Sequence, residues 1–480
     1  MILNQLFDGM TGPEAETEIT GLTADSRQVR PGYLFAALKG VAADGRDFIP
    51  QAIDKGAVAV LVDRPGEAGD AVEIVDPEPR LALARAAARF YGRQPEHVVA
   101  ITGTNGKSST VDFLRQIWTS AGVPSASMGT LGAIGPKGGI DLGHTTPDPV
   151  AIHATLAELA EQGVTHCAME ASSHGLEQHR LDGVKLSACA FTNLTQDHLD
   201  YHPTMEAYRA AKVRLFTELA PIGAPAIINA DSPERDAFHD AAMAAGLQPV
   251  SIGWRGDDLK IQELMPRATG QRMFLKHDGE PFEVDLPLIG EFQALNALCA
   301  AALAVSLGLK LQDVVTGLEA LQPVKGRMEF VGETEEGAGV FVDYAHTPDG
   351  LDTLLRAARP HTAGRLFVVF GCGGDRDRTK RPLMGEVAVT HADIAIVTDD
   401  NPRTEKAAKI RAAVLKGAPD AREIGDRGKA IRAAVSELKS GDTLLIAGKG
   451  HETGQIVGDR TIPFSDQETA LAALKEAAHV

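Results

Sequence analysis

Apolar runs of strand length alternate with Ala-rich helical stretches along the whole chain, and this alternation restricts the possible folds more than any other feature. The runs predict strands at residues 33–38, 57–62, 72–75, 97–102, 167–169, 188–192, 226–228, 340–343, 366–370, 394–398 and 443–446. Strands that alternate with helices are typical of α/β proteins with mainly parallel sheets. We therefore expect an α/β fold, in which the last four runs form a doubly wound, Rossmann-like sheet.

The length of the chain indicates how this fold is divided. At roughly 150 residues per domain, 480 residues correspond to about three domains, and 44% hydrophobic residues can fill a core in each of them. Segments that resemble linkers occur at residues 92–95 and 323–326. We therefore predict domains at residues 1–94, 95–324 and 325–480.

Charge and cysteine content exclude several classes of protein. The formal net charge of -18 argues against a nucleic-acid-binding protein, which needs a basic face. The four cysteines form no C-x-x-C pair, which excludes a disulfide scaffold and a cysteine-based zinc site. The N-terminus has no signal-peptide pattern, and the longest apolar run, at 295–309, is shorter than the ~20 residues that cross a bilayer. We expect a cytoplasmic protein that binds neither nucleic acid nor a membrane.

A glycine-rich turn follows the predicted strand at 97–102 and carries the strongest chemical signal. Residues 101–109 read I-T-G-T-N-G-K-S-S. Glycines let main-chain N–H groups approach phosphate oxygens, and the N-terminus of the following helix favours an anion. Lys107 would reach the β- and γ-phosphates of a nucleotide, and the Ser108 hydroxyl would bind Mg²⁺. Ile101 stands where the general phosphate-loop pattern has glycine, which points away from GTPases and transporters.

Seven polar or glycine-containing motifs occur along the chain: T-G-T-N-G-K-S at 102–108, M-E-A-S-S-H at 169–174, N-L-T-Q-D-H-L-D-Y-H at 193–202, A-K-V-R-L-F at 211–216, G-R-M-E at 326–329, D-Y-A-H-T-P-D at 343–349 and D-N-P-R at 400–403. In these motifs and in their order the sequence resembles the Mur ligase family. The resemblance spans essentially the whole chain. It implies an enzyme that forms an amide bond through an acyl phosphate. It also implies an N-terminal UDP-substrate domain, a central ATP-binding domain with a P-loop, and a C-terminal amino-acid domain.

The resemblance assigns residues to ATP and to the metal. The implied ATP contacts are Gly103, Thr104, Asn105, Gly106, Lys107, Ser108, Ser109, Asn296, Arg327, Asp343 and His346. The implied catalytic residues are Lys107, Glu170, His198 and Lys212, and the implied Mg²⁺ ligands are Ser108, Glu170, His198 and a carbamylated Lys212. By the sequence alone, Lys212 would be interpreted as a surface lysine and His198 as a structural histidine. Their roles therefore rest on the resemblance.

The acceptor substrate that the resemblance implies is UDP-N-acetylmuramoyl-L-alanyl-D-glutamate. Its implied contacts are Ala24, Ser26, Val41, Ala42, Ala43, His144, Thr145, Thr146, Ser172, Gln178 and Arg180. A guanidinium fork suits a carboxylate or a diphosphate, and hydroxyl groups suit a sugar or a peptide backbone. Without the resemblance, Thr145 and Thr146 would be interpreted as part of a turn before a proline.

Polar segments of the C-terminal domain are expected at one edge of its sheet. Residues 343–349, 371–378, 399–403 and 448–452 each follow a predicted strand, and ligands of open α/β sheets bind beyond the carboxyl ends of the strands. The resemblance places the incoming amino acid there, at Arg376, Asp400, Asn401, Pro402, Arg403, Gly448 and Glu452. Arg403 and Arg376 can each bind one carboxylate of meso-diaminopimelate. Lysine lacks the second carboxylate, so Arg403 favours diaminopimelate.

The implied reaction is ATP-dependent addition of meso-diaminopimelate to the D-glutamate γ-carboxylate during synthesis of peptidoglycan precursors, with Mg²⁺ as cofactor. Three alternatives stay open: a lysine-adding ligase, a folylpolyglutamate synthetase, and a nucleotide-sensing homologue without activity. The intact set of Lys107, Glu170, His198 and Lys212 argues against the sensor. A GTPase is disfavoured because no N-K-x-D motif follows the turn. We expect a monomer whose partners are its small-molecule substrates.

Overall fold

The structure, a computed structural model, describes residues 1–40, 43–66, 68–195, 201–267 and 269–478. The chain divides into two compact units, residues 1–257 with 299–311 and residues 258–298 with 312–480. Helices and mainly parallel sheets make up the fold, so the expected α/β class is confirmed. The three predicted domain boundaries stay a prediction. Across the described ranges, no helix is long and apolar enough to cross a membrane.

The N-terminal part of the first unit is a parallel sheet whose strands lie side by side in chain order. Its elements are α1 (Leu3–Leu6), β1 (Gly21–Thr23), β2 (Tyr33–Ala36), α2 (Ile49–Asp54), β3 (Ala57–Val62), β4 (Val72–Val75) and α3 (Pro79–Tyr91). The order is β1-β2-β3-β4, with every pair parallel. Successive residues of a strand face opposite sides of a sheet. Leu61 accordingly joins the core of α1 and α3, and Val60 joins the core of α2.

A larger sheet forms the rest of the first unit. Its strands are β5 (His97–Thr102), β6 (Ser125–Gly129), β7 (Gly132–Gly135), β8 (Gly138–Ile140), β9 (His166–Glu170), β10 (Ala188–Phe191), β11 (Pro225–Asn229) and β12 (Gln248–Gly253). Its helices are α4 (Lys107–Ser120), α5 (Pro149–Glu161), α6 (Ser173–Glu177), α7 (Met205–Arg214) and α8 (Arg235–Ala244). The order is β12-β11-β10-β5-β9-β6-β7-β8, in which the pairs from β12 to β6 are parallel.

The central position of β5 determines where the glycine-rich turn lies. The strand is buried from Val98 to Thr102, and its neighbours are β9 on one side and β10 on the other. Parallel strands end at the same edge of a sheet. The turn after β5 therefore lies between the end of β9, at Glu170, and the end of β10, at Phe191. This edge brings together distant segments: the Thr192 hydroxyl, for example, donates to the main-chain oxygen of Thr102, which is 90 residues away in the sequence.

The second unit begins with an antiparallel meander that the sequence analysis did not predict. It consists of β13 (Leu259–Arg267), β14 (Gly270–His277) and β15 (Glu280–Leu286), and helices α9 (Glu291–Ser306) and α10 (Leu311–Glu319) follow it. Residues 299–311, which include the end of α9, belong to the first unit. The apolar run at 295–309 coincides largely with α9 and is mostly buried. It therefore forms a core helix, as predicted.

The rest of the second unit is a doubly wound sheet, as predicted. Its strands are β16 (Glu329–Glu333), β17 (Gly339–Asp343), β18 (Leu366–Phe370), β19 (Ile394–Val397), β20 (Arg422–Glu423) and β21 (Thr443–Ala447), and β22 (Gly454–Val457) with β23 (Arg460–Pro463) forms a separate hairpin. Its helices are α11 (Pro348–Ala358), α12 (Lys380–His391), α13 (Ala407–Leu415), α14 (Arg427–Ser436) and α15 (Asp466–Ala477). The order is β16-β17-β21-β18-β19-β20.

Helices cover both faces of this sheet. Val368 and Phe370 of β18 pack in a core with α11, α12 and α13, whereas Phe367 and Val369 pack in a second core with α14 and α15. Strands buried on both faces read as continuous apolar runs, which is why the sequence predicted them well. β17, β21, β18 and β19 are mutually parallel, so their carboxyl ends share one edge.

Candidate active site

The turn after β5 is shaped by glycine and anchored to the segment after β10. Gly103 lies so close to Thr192 that a Cβ atom at position 103 would collide with the threonine hydroxyl. Gly106, with a φ of 86°, adopts a left-handed conformation directly before α4 begins. The main-chain N–H of Thr104 donates a hydrogen bond of 2.8 Å to the oxygen of Asn193. The turn is therefore held at the N-terminus of α4, where main-chain N–H groups attract an anion.

Two lysine side chains bind main-chain oxygens of this turn. Lys107 Nζ donates to the oxygens of Gly103 and Thr104 at 2.8 and 2.7 Å. Lys212 Nζ donates to the oxygen of Gly103 at 2.7 Å and lies 4.5 Å from the ring centroid of Tyr208. Lys212 is 1% exposed, so the surface-lysine interpretation is wrong. The positive charge of Lys107 at this turn favours an anionic ligand.

Glu170, the last residue of β9, is a buried carboxylate surrounded by donors. It accepts a hydrogen bond from Ser108 Oγ at 2.9 Å and another from the main-chain N–H of Thr130 at 2.7 Å. A Cβ atom at Gly129 would collide with the Glu170 carboxylate, so glycine is required there. Sequence reasoning missed Thr130 because it lies in the β6–β7 turn outside any motif. The structure thus brings together Ser108 and Glu170, two of the predicted metal ligands.

Ser108 and Glu170 fit the chemistry of Mg²⁺, which prefers hydroxyl and carboxylate oxygens. Within the described ranges, no group of three His, Cys, Asp or Glu side chains is arranged to hold a metal ion. His198 falls in the segment 196–200, outside the described residues. Its role as a metal ligand stays a prediction.

The residues predicted for the UDP substrate fall into two groups, and the first follows β1 and β2. Ser26 is buried, and its hydroxyl donates to Gln51 Oε1 at 2.9 Å. Ala24 and Ala43 are exposed. Val41 and Ala42 lie outside the described residues.

The second group surrounds α6. Arg180 donates to the main-chain oxygen of Thr146 at 2.6 Å and to Gln178 Oε1 at 2.9 Å. The Thr146 hydroxyl accepts a hydrogen bond from the N–H of Ser172, whose own hydroxyl caps α6. Thr145 is half-buried, with its hydroxyl 3.0 Å from that of Thr130, and His144 is exposed. Arg180, Gln178, Thr146 and Ser172 therefore form one connected cluster.

A cleft of about 350 Å³ lies at the carboxyl ends of β2, β3 and β4. Its lining combines the basic side chains of Lys39, Arg46 and Arg80 with four acidic ones, and Arg46 is paired with two of these, Asp44 and Asp63. Arg80 donates to the main-chain oxygen of Lys39 at 2.6 Å and contacts Gln178 Oε1 at 3.5 Å. A guanidinium group such as that of Arg80 suits a diphosphate. Arg80 was not predicted, because it lies in the first turn of α3 and belongs to no motif.

In the second unit, Asp343 organises the turn before β16. At the end of β17, its carboxylate accepts hydrogen bonds from the main-chain N–H groups of Met328 and Ala345, each at 2.7 Å. Burial raises the pKa of Asp343, and the nearby charge of Arg327 acts in the opposite direction. The Arg327 guanidinium lies 4.5 Å from the ring centroid of Tyr344. Arg327 and Asp343, both predicted nucleotide contacts, therefore lie next to each other.

The predicted adenine-side position, Asn296, joins this turn through a glutamine. Asn296 donates to Gln293 Oε1 at 3.2 Å, and Gln293 donates to the main-chain oxygen of Arg327 at 3.1 Å. Gln293 stands where the family usually has asparagine, and here it is fully buried and links α9 to the turn. His346 is exposed, with Nδ1 3.0 Å from the oxygen of Tyr344.

The polar segments of the second unit meet at the common strand edge, as predicted. Asn401 Nδ2 donates to Glu452 Oε2 at 2.8 Å. A Cβ atom at Gly373 would lie 2.8 Å from Arg403 Nη1 and 3.7 Å from Arg376 Cγ. Two of the predicted arginines therefore flank one glycine. Arg376 is exposed and Arg403 is half-buried.

Backbone conformation contributes to this edge. Gly448 has a φ of 119°, and a Cβ atom there would collide with the Asp400 carboxylate. Asn401 and Arg403 have φ values of 38° and 51°, and Pro402 lies buried between them. Left-handed conformations are rare outside glycine and cluster at functional sites. The D-N-P-R segment thus adopts an unusual backbone conformation. An ordinary Asn-Pro turn does not require positive φ values at both Asn401 and Arg403.

Lys449 is the main residue that sequence reasoning missed at this edge. It is 0% exposed, and its Nζ lies 3.0 Å from Asn401 Oδ1 and 3.2 Å from Glu452 Oε2. It also lies 3.5 Å from Asp400 Oδ1. The available signal was a lysine between two glycines directly after a strand, in G-K-G-H-E at 448–452.

The whole chain is similar to known proteins. The family models described as Mur ligase family, catalytic domain, Mur ligase middle domain, and Mur ligase, glutamate ligase domain match residues 18–91, 101–304 and 326–450. A UDP-N-acetylmuramoyl-L-alanyl-D-glutamate–2,6-diaminopimelate ligase of Agrobacterium fabrum strain C58 is 55% identical over 460 residues, which cover 96% of this chain and 94% of that protein. The protein of the same name from Chelativorans sp. strain BNC1 is 53% identical, with 96% of each chain covered.

A solved structure gives the same result for the fold. It is the structure of a protein with the same ligase name, which is 33% identical to this chain and has a TM-score of 0.76, with 100% of both chains covered. Two relatives are more than 50% identical to this chain over nearly the full length. Three domain models of the family also match successive parts of the sequence. The chain therefore belongs to the Mur ligase family.

Proposed function

We propose that the protein is an ATP-dependent ligase that joins meso-diaminopimelate to the γ-carboxylate of D-glutamate in UDP-N-acetylmuramoyl-L-alanyl-D-glutamate. Relatives that are 55% and 53% identical are named for joining these two substrates. The observation that carries the proposal is the strand edge where Arg403 and Arg376 flank Gly373. Two guanidinium groups can bind the two carboxylates of the amino acid.

The glycine-rich turn is proposed to bind the phosphates of ATP. Its main-chain N–H groups lie at the start of α4, and Lys107 already binds main-chain oxygens of the same turn. An incoming phosphate offers Lys107 charged oxygens in place of these carbonyl oxygens. Charge-assisted hydrogen bonds are roughly twice as strong as neutral ones, so the exchange favours nucleotide binding.

The reaction is proposed to proceed in two displacements. An oxygen of the D-glutamate γ-carboxylate bonds the γ-phosphorus of ATP, and the bond to ADP breaks, which leaves an acyl phosphate. The amine of diaminopimelate then bonds the acyl carbon and loses a proton, and phosphate leaves. Lys107 offsets the charge of the transferring phosphoryl group, and the arginines orient the amine. No covalent bond to the protein is required.

Ser108 and Glu170 are proposed to hold Mg²⁺, which supplies charge neutralisation for the ATP phosphates. Lys212 is proposed to carry a carbamate, formed when its amine nitrogen bonds the carbon of CO₂ and one proton is released. The support is its position: Lys212 is 1% exposed and hydrogen-bonded to the same turn as Lys107. A lysine removed from water can react as the neutral amine.

The domain roles are proposed as the resemblance implies them. Residues 1–94 would bind the UDP moiety, with Arg80 in the cleft as a guanidinium donor to the diphosphate. Residues 95–324 would bind ATP, and residues 325–480 would bind the amino acid. We propose a monomer that acts in the cytoplasm.

A substrate assay tests the proposal. The protein is incubated with ATP, Mg²⁺ and UDP-N-acetylmuramoyl-L-alanyl-D-glutamate, and meso-diaminopimelate or L-lysine is added separately. We expect phosphate release and a new UDP-tripeptide with diaminopimelate, and much slower release with lysine. Faster turnover with lysine would replace the proposal with a lysine-adding ligase. Nucleotide binding with no amide product from either amino acid would favour a sensor.

A further inference from the structure

Lys449, in the proposed amino-acid site, is a completely buried lysine. Lys449 follows β21 between Gly448 and Gly450, whose φ values are 119° and 53°. Both are left-handed conformations that glycine adopts without strain. They turn the chain sharply at the end of the strand, so that the Lys449 side chain is 0% exposed. The backbone conformation of these two glycines therefore places the Lys449 ammonium group in the protein interior after the end of β21.

The ammonium group of Lys449 is bound by side chains that come from two separate segments. Asn401 Oδ1 lies 3.0 Å away and Asp400 Oδ1 3.5 Å away in the segment after β19, and Glu452 Oε2 lies 3.2 Å away in its own segment. A buried charge is stable only when it is paired and hydrogen-bonded. One lysine thus joins the two segments that carry the predicted acceptors.

The asparagine in this cluster is already fully engaged at its oxygen. Asn401 Oδ1 accepts hydrogen bonds from Lys449 and from the main-chain N–H of Ile456 at 2.9 Å, and its Nδ2 donates to Glu452. A carbonyl oxygen has two acceptor positions. Asn401 is therefore a support for Glu452, and it has little capacity left for a substrate ammonium group.

Glu452 is the acceptor that remains accessible. Its side chain is 34% exposed, whereas those of Asp400 and Lys449 are 8% and 0% exposed. Lys449 and Asn401 bind the same oxygen, Oε2. The second oxygen can then receive an ammonium group. Two carboxylates and one ammonium group leave this cluster with one negative charge, which a substrate ammonium group would balance.

We propose that Lys449 is a positioning residue for the incoming amino acid, because its buried ammonium group, together with Asn401, holds Glu452 in the orientation that receives an ammonium group of the substrate. This inference rests on the proposed function. Lys449 does not touch the reacting atoms, and it acts through the carboxylate that it orients. Its removal therefore affects the amino acid and spares the other two substrates.

Steady-state kinetics of Lys449→Met and Lys449→Gln, made in parallel, test the inference. We expect the KM for meso-diaminopimelate to rise about ten-fold or more in Lys449→Met, the effect of losing one charge-assisted hydrogen bond. Lys449→Gln, which keeps a donor, should recover part of this loss. The KM values for ATP and for the UDP-dipeptide should change by less than about two-fold, because Lys449 acts only on the binding of the amino acid. Exposed Lys409→Gln is the matched control and should leave all three constants unchanged.

A double-mutant cycle with Glu452→Gln separates positioning from a structural role. If Lys449 acts through Glu452, its replacement should have a clearly smaller effect on the KM for diaminopimelate in the Glu452→Gln background. Equal effects in both backgrounds would overturn the inference, as would an unchanged KM or a parallel rise of all three. Failure of the proposed function itself is a different result: the unmodified protein would then release no phosphate in response to diaminopimelate.

Discussion

The glycine-rich turn and the amino-acid site are both held by lysine side chains, and the two sites differ in what these lysines bind. Lys107 and Lys212 donate to main-chain oxygens within the turn at 103–104. Lys449 donates to side-chain oxygens of Asn401 and Glu452, the first of which is 48 residues away in the sequence. Both sites thus draw on distant segments, but the lysines of the first bind main-chain oxygens of one short turn, whereas Lys449 of the second binds side chains.

This difference indicates how each site should respond to mutation. A turn whose main-chain oxygens bind the lysines depends on backbone shape and on the two lysines. A site held by side chains depends on charge balance, because each buried ion needs its partner. Changes in the first site should therefore affect ATP, and changes in the second should affect the amino acid.

The largest effect is expected for Lys107→Gln. This change removes the charge that offsets the transferring phosphoryl group, and we expect kcat to fall about a thousand-fold or more. Phosphate release measured with all substrates checks this. Lys137→Gln, in the exposed turn between β7 and β8, is the matched control and should retain full activity. Normal turnover in Lys107→Gln would show that the turn does not serve phosphoryl transfer.

A pair of glycine substitutions tests the division between the sites directly. In Gly103→Ala the new Cβ atom collides with Thr192, and we expect kcat/KM for ATP to fall about a hundred-fold because the turn moves. In Gly448→Ala it collides with Asp400, and we expect the KM for diaminopimelate to rise about ten-fold. Kinetics with each substrate varied in turn separate the two effects.

Gly279→Ala is the control for this pair. Gly279, in the turn between β14 and β15, also has a positive φ, 87°, yet nothing lies within 4 Å of a Cβ atom there. The backbone strain is then present without a collision, and all KM values should stay near those of the unmodified protein. If Gly103→Ala changed the KM for diaminopimelate as strongly as Gly448→Ala does, the separation of the sites would be wrong.

The same contrast explains what the sequence could predict. The turn at 101–109 and the strands β17, β18, β19 and β21 were predicted because glycine, lysine and continuous apolar runs are local signals. The common strand edge followed from parallel topology. Lys449 and Thr130 were missed because their roles depend on partners 48 and 40 residues away. The antiparallel strands at 259–286 were missed because they lack continuous apolar runs, and β13 and β15 also carry several exposed residues.

A smaller effect is expected for Arg403→Lys. This change tests whether the second site recognises a substrate carboxylate by the planar guanidinium group or by positive charge alone. Lysine keeps the charge and loses the planar fork that binds both carboxylate oxygens. We expect the KM for diaminopimelate to rise about five- to ten-fold and the discrimination against lysine to weaken. Competition between the two amino acids, followed by mass spectrometry of the products, measures this. Unchanged discrimination would assign the second carboxylate to another residue.

The smallest effect is expected for Glu405→Gln, which weakens the segment that carries Arg376. Glu405 accepts hydrogen bonds from Arg381 and from the main-chain N–H of Asp375, each at 2.8 Å. The Arg381 guanidinium is the main cause that lowers the pKa of Glu405 from 4.5 to about 2. We expect the KM for diaminopimelate to rise about two-fold, the small effect of weakening an ion pair that supports the segment without binding the amino acid.

The pH dependence of the Glu405–Arg381 ion pair tests its role more sharply than the change of about two-fold in KM does. A depressed pKa means that the pair stabilises the folded protein fully above the unfolded value of 4.5 and loses this contribution as the pH falls toward 2. The difference in Tm between the unmodified protein and Glu405→Gln should therefore stay constant at neutral pH and shrink in acid below 4.5. Thermal unfolding at a series of pH values measures it. If this difference in Tm persisted unchanged down to low pH, the charge of Glu405 would not be its cause. The second site would then depend on backbone and side-chain shape, as the glycine-rich turn does, and not on charge balance.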